Sequence, residues 1–296
     1  MSASLPMIDA LSPLFAGPMV AYRDLITTSA QAQAGGESSL DRVVPARDVL
    51  SPGWLSACIA AHGMQYEGQS GAEAPDERAL LSQWSKYLLS SMVSLPLAAN
   101  LLLDHQLPLE LRHLSLRLGE HGVVTQLILD DAAGQGVSLT ADIAAAEEEA
   151  RLQVRFQGYL AHLEAVIERL VPHTPLGPKV FWSNAAHYFV YIVGMLEEQG
   201  WVAQAAPARQ LMATRVLADG RRNPLYQPVS EVMDRHGERH VPRKVCCVRY
   251  RIECLGYCSN CPLAIERPTA RRAQARRVDQ RANARGALTG SDLHPR

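Results

Sequence analysis

Four cysteines near the C-terminus constrain the fold of this 296-residue chain more than any other feature of its sequence. They are Cys246, Cys247, Cys258 and Cys261, and they form the pattern CC-x10-C-x2-C. Adjacent cysteines cannot bridge to each other without strain, because disulfide-bonded Cα atoms normally lie about 4.4–6.8 Å apart in a specific geometry. Four thiolates brought together are typical of a soft metal centre, either an iron–sulfur cluster or zinc. The sequence therefore predicts that this segment folds around a metal group.

The spacing of the cysteines favours a two-iron cluster. Structural zinc sites usually use two spaced pairs of ligands, which wrap the two sides of a tetrahedron. The side chains of Cys246 and Cys247 diverge from neighbouring backbone positions, and a two-iron cluster accepts ligands from more widely separated directions. Structural zinc stays open as the alternative.

The chain contains two further cysteines. Cys254 lies inside the ten-residue spacer of the motif, which leaves open an exchange of ligands. Cys58 lies alone in the apolar stretch 54–60, and we expect it to be a small buried hydrophobic residue.

Charge is distributed unevenly along the chain. Residues 1–234 carry 15 Lys and Arg against 25 Asp and Glu, a balance of −10, whereas residues 235–296 carry 14 against 5, a balance of +9. Such a split is typical of nucleic-acid binding or of a basic tail. A four-thiolate cluster is itself anionic, so nearby cations would stabilise it. The cations beside the motif are Arg243, Lys244, Arg249 and Arg251.

Hydrophobic periodicity predicts an α+β fold with a mostly helical body and a small antiparallel sheet. The cysteine motif adds to it a C-terminal cysteine-rich knot, for which an iron–sulfur cluster is the favoured metal group. Leucines alternate with polar residues along 114–118, and a second apolar run at 123–129 follows a Gly-containing turn, which predicts a β-hairpin over 111–129 with a third strand at 137–139. The predicted helices cover 52–61, 76–103 with an interruption near Pro96, 142–171, 183–198, 206–217 and 228–235.

The cysteine segment resembles the C-terminal cluster of FhuF-type ferric-siderophore reductases. The resemblance is carried by Arg243–Tyr250 (RKVCCVRY) and Cys258–Leu263 (CSNCPL), with looser similarity at Trp84–Tyr87 and Phe181–Asn184. It implies that Cys246, Cys247, Cys258 and Cys261 hold a [2Fe-2S] cluster. It also implies that the protein takes iron from ferric hydroxamate siderophores in the bacterial cytoplasm.

The resemblance and the composition together suggest four regions. These are a loosely ordered lead-in (1–45), a helical siderophore-binding body that contains the hairpin (46–241), the [2Fe-2S] segment (242–265) and a basic disordered tail (266–296). The uncharged run 87–103 is diluted by polar residues and proline, which favours a buried core helix over a membrane span. No basic region followed by an apolar core opens the sequence, so we expect a cytoplasmic protein, with peripheral contact to the inner membrane left open.

The function that follows is that of an iron–sulfur oxidoreductase acting on ferric siderophores, with no catalytic group beyond the cluster. Its expected partners are a ferric siderophore and an unidentified electron donor, and no nucleic acid. Candidate substrate contacts are Trp84, Tyr87, Trp182, Asn184 and His187, which fall on two predicted helices. Two other functions stay open: a zinc-binding interaction protein with a basic tail, and a siderophore-binding protein whose cluster is only structural.

Overall fold

The computed structural model describes residues 11–34, 42–68, 75–134, 136–233 and 237–266. In these ranges the helices are α1 (Ser29–Ala34), α2 (Ala46–Val49), α3 (Pro52–Met64), α4 (Glu77–Leu103), α5 (Thr140–Ala145), α6 (Arg151–Leu170), α7 (Pro178–Glu198), α8 (Val202–Ala213) and α9 (Pro262–Glu266). The strands are β1 (Ile26–Thr28), β2 (Arg42–Pro45), β3 (His105–Gln106), β4 (Leu114–Leu118), β5 (Val124–Leu129), β6 (Val137–Ser138), β7 (Val232–Met233) and β8 (Arg239–His240). The predicted α+β class, mostly helical with small antiparallel sheets, is confirmed.

Helix α4 is the centre of the fold. It begins where the Asp76 carboxylate accepts a hydrogen bond from the backbone N–H of Arg78, at 3.0 Å, which caps the first turn. Most of its residues are buried, including Trp84 and Leu89 at 0 % exposure. Among the described residues it is the single helix long and apolar enough to cross a membrane, but 72 % of its most apolar window is buried against the rest of the chain. Its length and its apolar composition are therefore explained by its position in the core.

Pro96 lies within α4 without interrupting it. A proline has no N–H to donate, so the carbonyl four residues earlier, that of Met92, loses its helical partner. The hydroxyl of Tyr159 on α6 donates to that carbonyl oxygen at 3.1 Å. The expected break at Pro96 is therefore absent because another helix satisfies the carbonyl that proline leaves unpaired.

Buried polar contacts fix α6 against the C-terminal end of α4. The amide of Asn100 donates to the carbonyl of Arg155 at 3.0 Å, and the Arg155 guanidinium donates to the Asp104 carboxylate at 2.5 Å. Asp104 itself adopts a left-handed conformation (φ 46°) and ends the helix. Because Arg155 is only 8 % exposed, its charge is stabilised by the Asp104 carboxylate and the Asn100 carbonyl in place of water.

The predicted hairpin is present as β4 and β5, which pair antiparallel from Leu114↔Leu129 to Leu118↔Val124. The sheet is larger than expected, with the order β1-β5-β4-β2, and β1 runs parallel to β5. Residues 11–34 and 42–45 are thus not a loose lead-in, since they supply two strands and core residues such as Leu11 and Met19. The third strand, β6, pairs with β3 and not with the hairpin. Apart from Glu266, the predicted tail 266–296 lies outside the described residues.

Two helix predictions are wrong. The predicted helix 142–171 is divided into α5 and α6, with an extended residue at Ala146 (ψ 141°) before the acidic run that starts at Glu147. The predicted helix 228–235 is extended over its described residues, 228–233. There the carbonyl of Pro228 accepts from Lys244 N, and Ser230 N donates to Pro242 O. This non-local pairing with the segment before the cysteines competes successfully with local helix propensity.

The tip of the hairpin packs on α3 and α4. The indole Nε1 of Trp84 donates to the carbonyl of Gly122 at 2.7 Å. Gly122 has φ 64°, and a Cβ atom there would lie 3.1 Å from the Cα of Cys58 on α3. Glycine is required at this position both by its left-handed backbone and by the close approach of α3.

We expect Gly122→Ala to lower the free energy of unfolding by more than Gly200→Ala. Both glycines have positive φ, but nothing lies within 4 Å of a Cβ atom built on Gly200. The control should lose roughly 1–2 kcal/mol from backbone strain alone, and the Gly122 variant should lose that amount plus the cost of displacing α3. Urea unfolding of both variants measures the difference, and equal losses would show that the contact with α3 contributes nothing.

Candidate metal centre

The four cysteines of the motif converge in one small buried cluster. Cys247, Cys258 and Cys261 are 1 %, 9 % and 2 % exposed, whereas Cys246 is half-buried at the edge. The Sγ atoms of Cys247 and Cys258 lie 3.8 Å apart, and the thiols of Cys246 and Cys261 form a hydrogen bond. Cys261 is also hydrogen-bonded to Cys258, so the four thiols form one continuous row in the order Cys246, Cys261, Cys258 and Cys247. All six cysteines of the chain are described, and none forms a disulfide.

Local backbone geometry brings the thiols together. Val248 adopts a left-handed conformation (φ 52°), which is costly for a β-branched residue and is held here by the surrounding contacts. The resulting turn directs the N–H of Val248 to the Sγ of Cys246 at 3.3 Å. In the CxxC turn, Cys261 N donates to Cys258 O at 3.1 Å, and α9 starts immediately after it.

Hydrogen bonds from α4 and α7 hold the cysteine segment in place. The Ser82 hydroxyl on α4 donates to the carbonyl of Cys247 at 2.8 Å, and the Ser183 hydroxyl on α7 donates to the carbonyl of Val245 at 3.0 Å. These bonds satisfy main-chain carbonyls in a segment without regular structure. The segment that contains Cys246 and Cys247 is therefore attached to α4 and α7, two helices that pack extensively against each other.

Arg243 forms a second link between the segment and the body. It is 3 % exposed, and its Nη2 donates to the carbonyl of Ser183 at 2.6 Å. Its backbone N–H donates to the carbonyl of Asn260 at 2.9 Å. This bond joins the segment before Cys246 to the CxxC turn. Its Nε has no hydrogen-bond partner among the described residues. A buried cation with an unsatisfied donor next to four thiols is suited to an anionic group.

Lys86 and Gln83 on α4 contact the thiol of Cys247. The ammonium of Lys86 lies 3.2 Å from Cys247 Sγ and 3.3 Å from Oε1 of Gln83, and Nε2 of Gln83 lies 4.0 Å from the same sulfur. Burial lowers the pKa of Lys86, and the neighbouring Cys247 thiol acts in the opposite direction. The sequence analysis missed both residues. The available signal was that Lys86 is the last charged residue before the uncharged run 87–103.

The four thiols differ in acidity. The hydrogen bond with Cys261 holds the pKa of Cys246 below its usual value and raises that of Cys261. The contact with Cys258, together with burial, raises the pKa of Cys247 to about 11, while Lys86 and Arg243 act to lower it. Metal binding requires thiolates. By lowering the pKa of Cys247, Lys86 and Arg243 would therefore favour the form of this residue that binds a metal.

The donor set fits a soft metal group. Four thiols lie together in a buried position next to two cations, which is the environment that an anionic iron–sulfur cluster requires. Among the described residues, no three His, Cys, Asp or Glu side chains are arranged as a site for a single metal ion. The residues that would hold a cluster are Cys246, Cys247, Cys258 and Cys261.

The other two cysteines lie outside this group. Cys254 packs with Tyr66, Leu80 and Ile252 in a separate apolar cluster. Cys58 is buried in the main core at 3 % exposure, and burial raises the pKa of its thiol to about 11. The prediction that Cys58 is a small buried hydrophobic residue is confirmed.

The predicted cationic shell is only partly present. Arg243 lies at the site, but the ammonium of Lys244 turns to Oε1 of Gln227 at 3.0 Å, and the guanidinium of Arg251 lies 3.2 Å from the Asp76 carboxylate. Lys244 and Arg251 thus lie close to the cysteines in the sequence but bind other residues. Lys86 is distant in the sequence and contacts Cys247.

The five candidate substrate residues occupy two kinds of position. Trp84 and Asn184 are fully buried, and Trp182 is 9 % exposed. The Asn184 amide donates to the carbonyl of Ser82 at 3.0 Å and to the Ser85 hydroxyl at 3.1 Å. In this structure Trp84 and Asn184 offer no surface to a bulky chelate, because both are fully buried and their N–H groups are hydrogen-bonded within the protein.

Tyr87 and His187 are half-buried, and His187 lies near the cysteine segment. Asn260, between the two CxxC cysteines, contacts Nδ1 of His187 at 3.2 Å. Burial, followed by the nearby Arg243 and Lys86 charges, lowers the pKa of His187 to about 4. His187 is therefore neutral near pH 7 and does not add to the positive charge of the site.

Comparison with protein-family models identifies the family to which the chain belongs. The model described as "Ferric iron reductase FhuF-like transporter" matches residues 82–238, more than half of the chain. A search of curated proteins finds no match. The matched region begins at Ser82, includes Lys86 and all of α7, and ends before the cysteines. It therefore covers the helices on which the thiol group is held and leaves the motif itself untested. The chain belongs to the FhuF-like ferric iron reductase family.

Proposed function

We propose that the protein is a siderophore-iron reductase that carries a [2Fe-2S] cluster on Cys246, Cys247, Cys258 and Cys261. One observation carries this proposal: the four thiols of the motif form one buried group that is hydrogen-bonded to α4 and α7, within the region that matches the ferric iron reductase family. Membership of the family supplies the reductase activity, and the thiol group supplies a place for the electron carrier.

The chemistry requires one electron and no proton-transfer group. When bound, a [2Fe-2S] cluster supplies one electron at a time, which is what conversion of Fe(III) to Fe(II) takes. Hydroxamates are hard oxygen ligands that hold Fe(III) much better than Fe(II), so reduction releases the metal from the chelate. The substrate we propose is a ferric hydroxamate siderophore, and the electron comes from a separate donor protein or reductant.

The residues of the chain contribute shielding and orientation. Cys247, Cys258 and Cys261 lie at most 9 % exposed, so their sulfurs are kept from water and oxygen. Cys246 is half-buried and is the most accessible of the four. Since electron transfer slows with distance, the substrate should approach at the Cys246 edge.

A tyrosine pair lies beside the cysteine group and suits the binding of the chelate. Tyr257 packs against the cysteines, and its ring stacks on that of Tyr250 at 5.5 Å with an interplanar angle of 28°. The Arg251 guanidinium lies 5.8 Å from the centre of the Tyr250 ring. Half-buried rings offer apolar area, and phenol groups donate hydrogen bonds to hydroxamate oxygens. We propose this pair as the docking surface, in place of Trp84 and Asn184.

The proposal includes a cytoplasmic location. Thiols and iron–sulfur clusters persist in a reducing compartment, and ferrous iron released there is available to the cell. The zinc alternative is supported by the four-cysteine set alone, since its basic tail lies outside the described residues. Metal and sulfide content decides between the two.

We expect protein purified without oxygen to contain about two irons and two acid-labile sulfides per chain. Reduction should bleach its visible absorption and give an electron paramagnetic resonance signal of one unpaired spin. Stoichiometric zinc without sulfide in freshly isolated protein would contradict the reductase proposal.

Ser substitutions should identify the ligands. Cys246→Ser, Cys247→Ser, Cys258→Ser and Cys261→Ser should each lose or strongly perturb the visible spectrum, because a serine oxygen replaces a thiolate poorly on iron. Cys254→Ser and Cys58→Ser are the matched controls and should keep it, because both lie outside the thiol group. Loss of the spectrum in Cys254→Ser with retention in Cys258→Ser would reverse the assignment.

Chemically reduced protein should transfer its electron to a ferric hydroxamate, and an Fe(II) chelator should report the released iron. We expect Tyr250→Ala to raise the KM for the chelate roughly three- to tenfold, the effect of losing one hydrogen bond and its packing, without change in iron or sulfide content. Tyr226→Ala is the matched control, because Tyr226 also lies under a cation, Lys244, but is not stacked on Tyr257, the ring that packs against the cysteines.

Two results would contradict this prediction. An equal change in KM for the Tyr250 and Tyr226 variants would move the docking surface elsewhere. Failure of the reduced protein to react with hydroxamate, catecholate and carboxylate complexes alike would remove the siderophore as substrate.

A further inference from the structure

Lys86 contacts one cysteine of the thiol group and no described carboxylate. Its ammonium lies 3.2 Å from Cys247 Sγ and 3.3 Å from the Gln83 side-chain oxygen. Gln83 precedes it by three residues, so both side chains project from the same face of α4. The helix is buried at this point, with Ser82 and Ser85 at 0 % exposure. The charge therefore extends from a helix that is packed into the core.

The positive charge is distributed unequally over the four thiols. Both Lys86 and Arg243 act electrostatically on Cys247. Cys246, at the other end of the row of thiols, receives a backbone N–H from Val248. Cys247 is also nearly inaccessible, whereas Cys246 is half-buried. A charge beside a desolvated sulfur acts more strongly than the same charge at an exposed one, because the surrounding dielectric constant is lower.

We propose that Lys86 is a positioning residue that makes the cluster easier to reduce by holding its positive charge against the Cys247 sulfur. The inference rests on the [2Fe-2S] centre proposed above. Four thiolates and a [2Fe-2S] core carry a net charge of −2 when oxidised and −3 after accepting one electron. A fixed positive charge nearby stabilises the second state more than the first, which raises the reduction potential.

This function differs from a purely structural one. Ser82 and Ser183 already anchor the main chain of the cysteine segment. Removal of the Lys86 charge should therefore leave the fold and the cluster in place and alter the equilibrium between the two redox states. A residue that acted only by filling space would leave that equilibrium unchanged when replaced by a neutral side chain of similar length.

The test is a redox titration of anaerobically purified full-length protein, with dithionite as reductant and mediator dyes, followed by visible absorption and electron paramagnetic resonance. We expect Lys86→Met to make reduction at least tenfold less favourable, a shift of about 59 mV to more negative potential for one electron. Lys86→Arg, which keeps the charge, should stay within about threefold of the unmodified protein, the range expected for a small change in charge position.

Lys244→Met is the matched control. Lys244 is exposed, two residues from Cys246, and its ammonium binds Gln227. Its loss changes the net charge of the protein by the same amount as Lys86→Met. Because exposed charges are screened by salt, its potential should change much less.

The outcomes separate this inference from the function on which it rests. Absence of iron and sulfide from the unmodified protein contradicts the proposed function. A normal cluster whose potential is the same in Lys86→Met, or shifts equally in Lys244→Met, overturns the role of Lys86 and leaves the function standing. Loss of the cluster in both Lys86→Met and Lys86→Arg also overturns it, since shape and not charge would then matter. Loss in Lys86→Met alone overturns it as well, because the charge would then act in assembly and not on the equilibrium between the two redox states.

Discussion

The attachment of the cysteine segment to α4 and α7 is the interaction on which the candidate site depends. Residues 242–261 have little regular structure and cannot bury four thiols by themselves. Hydrogen bonds from Ser82 and Ser183 hold the carbonyls of Cys247 and Val245, and buried Arg243 links the same segment to the CxxC turn. The two helices thus supply the donors and the cation that the segment lacks, and they lie in the region shared with the ferric iron reductase family.

These helices can act as a support because α4 is fixed on several sides. Tyr159 satisfies the Met92 carbonyl that Pro96 leaves without a partner, and Arg155 binds the helix end at Asp104. At the other end, Trp84 is hydrogen-bonded to the hairpin tip at Gly122. Lys86 extends from a helix fixed in this way, and the contacts of its ammonium with Gln83 and Cys247 hold the charge at the thiol group.

Much of the local structure was predictable from the sequence, because it depends on residues that are close together along the chain. The hairpin 111–129, the long helix that starts after Asp76 and the burial of Cys58 follow from alternation, capping and composition. The errors have non-local causes. Segment 228–233 pairs with residues near Pro242, and strand β1 adds to the hairpin from a region far earlier in the chain. Neither partner is visible in the periodicity of the segment itself.

The same division applies to the site. The sequence by itself determined which four thiols belong together, because their number and spacing are covalent properties of a short stretch of chain. The tertiary structure alone decided which thiols contact each other, which one reaches the edge and which charges face them. Lys244 lies beside the motif in sequence yet turns to Gln227, whereas Lys86 reaches Cys247 from 161 residues away. Electrostatic interaction depends on distance in space and on burial, and both are set only when the helices pack.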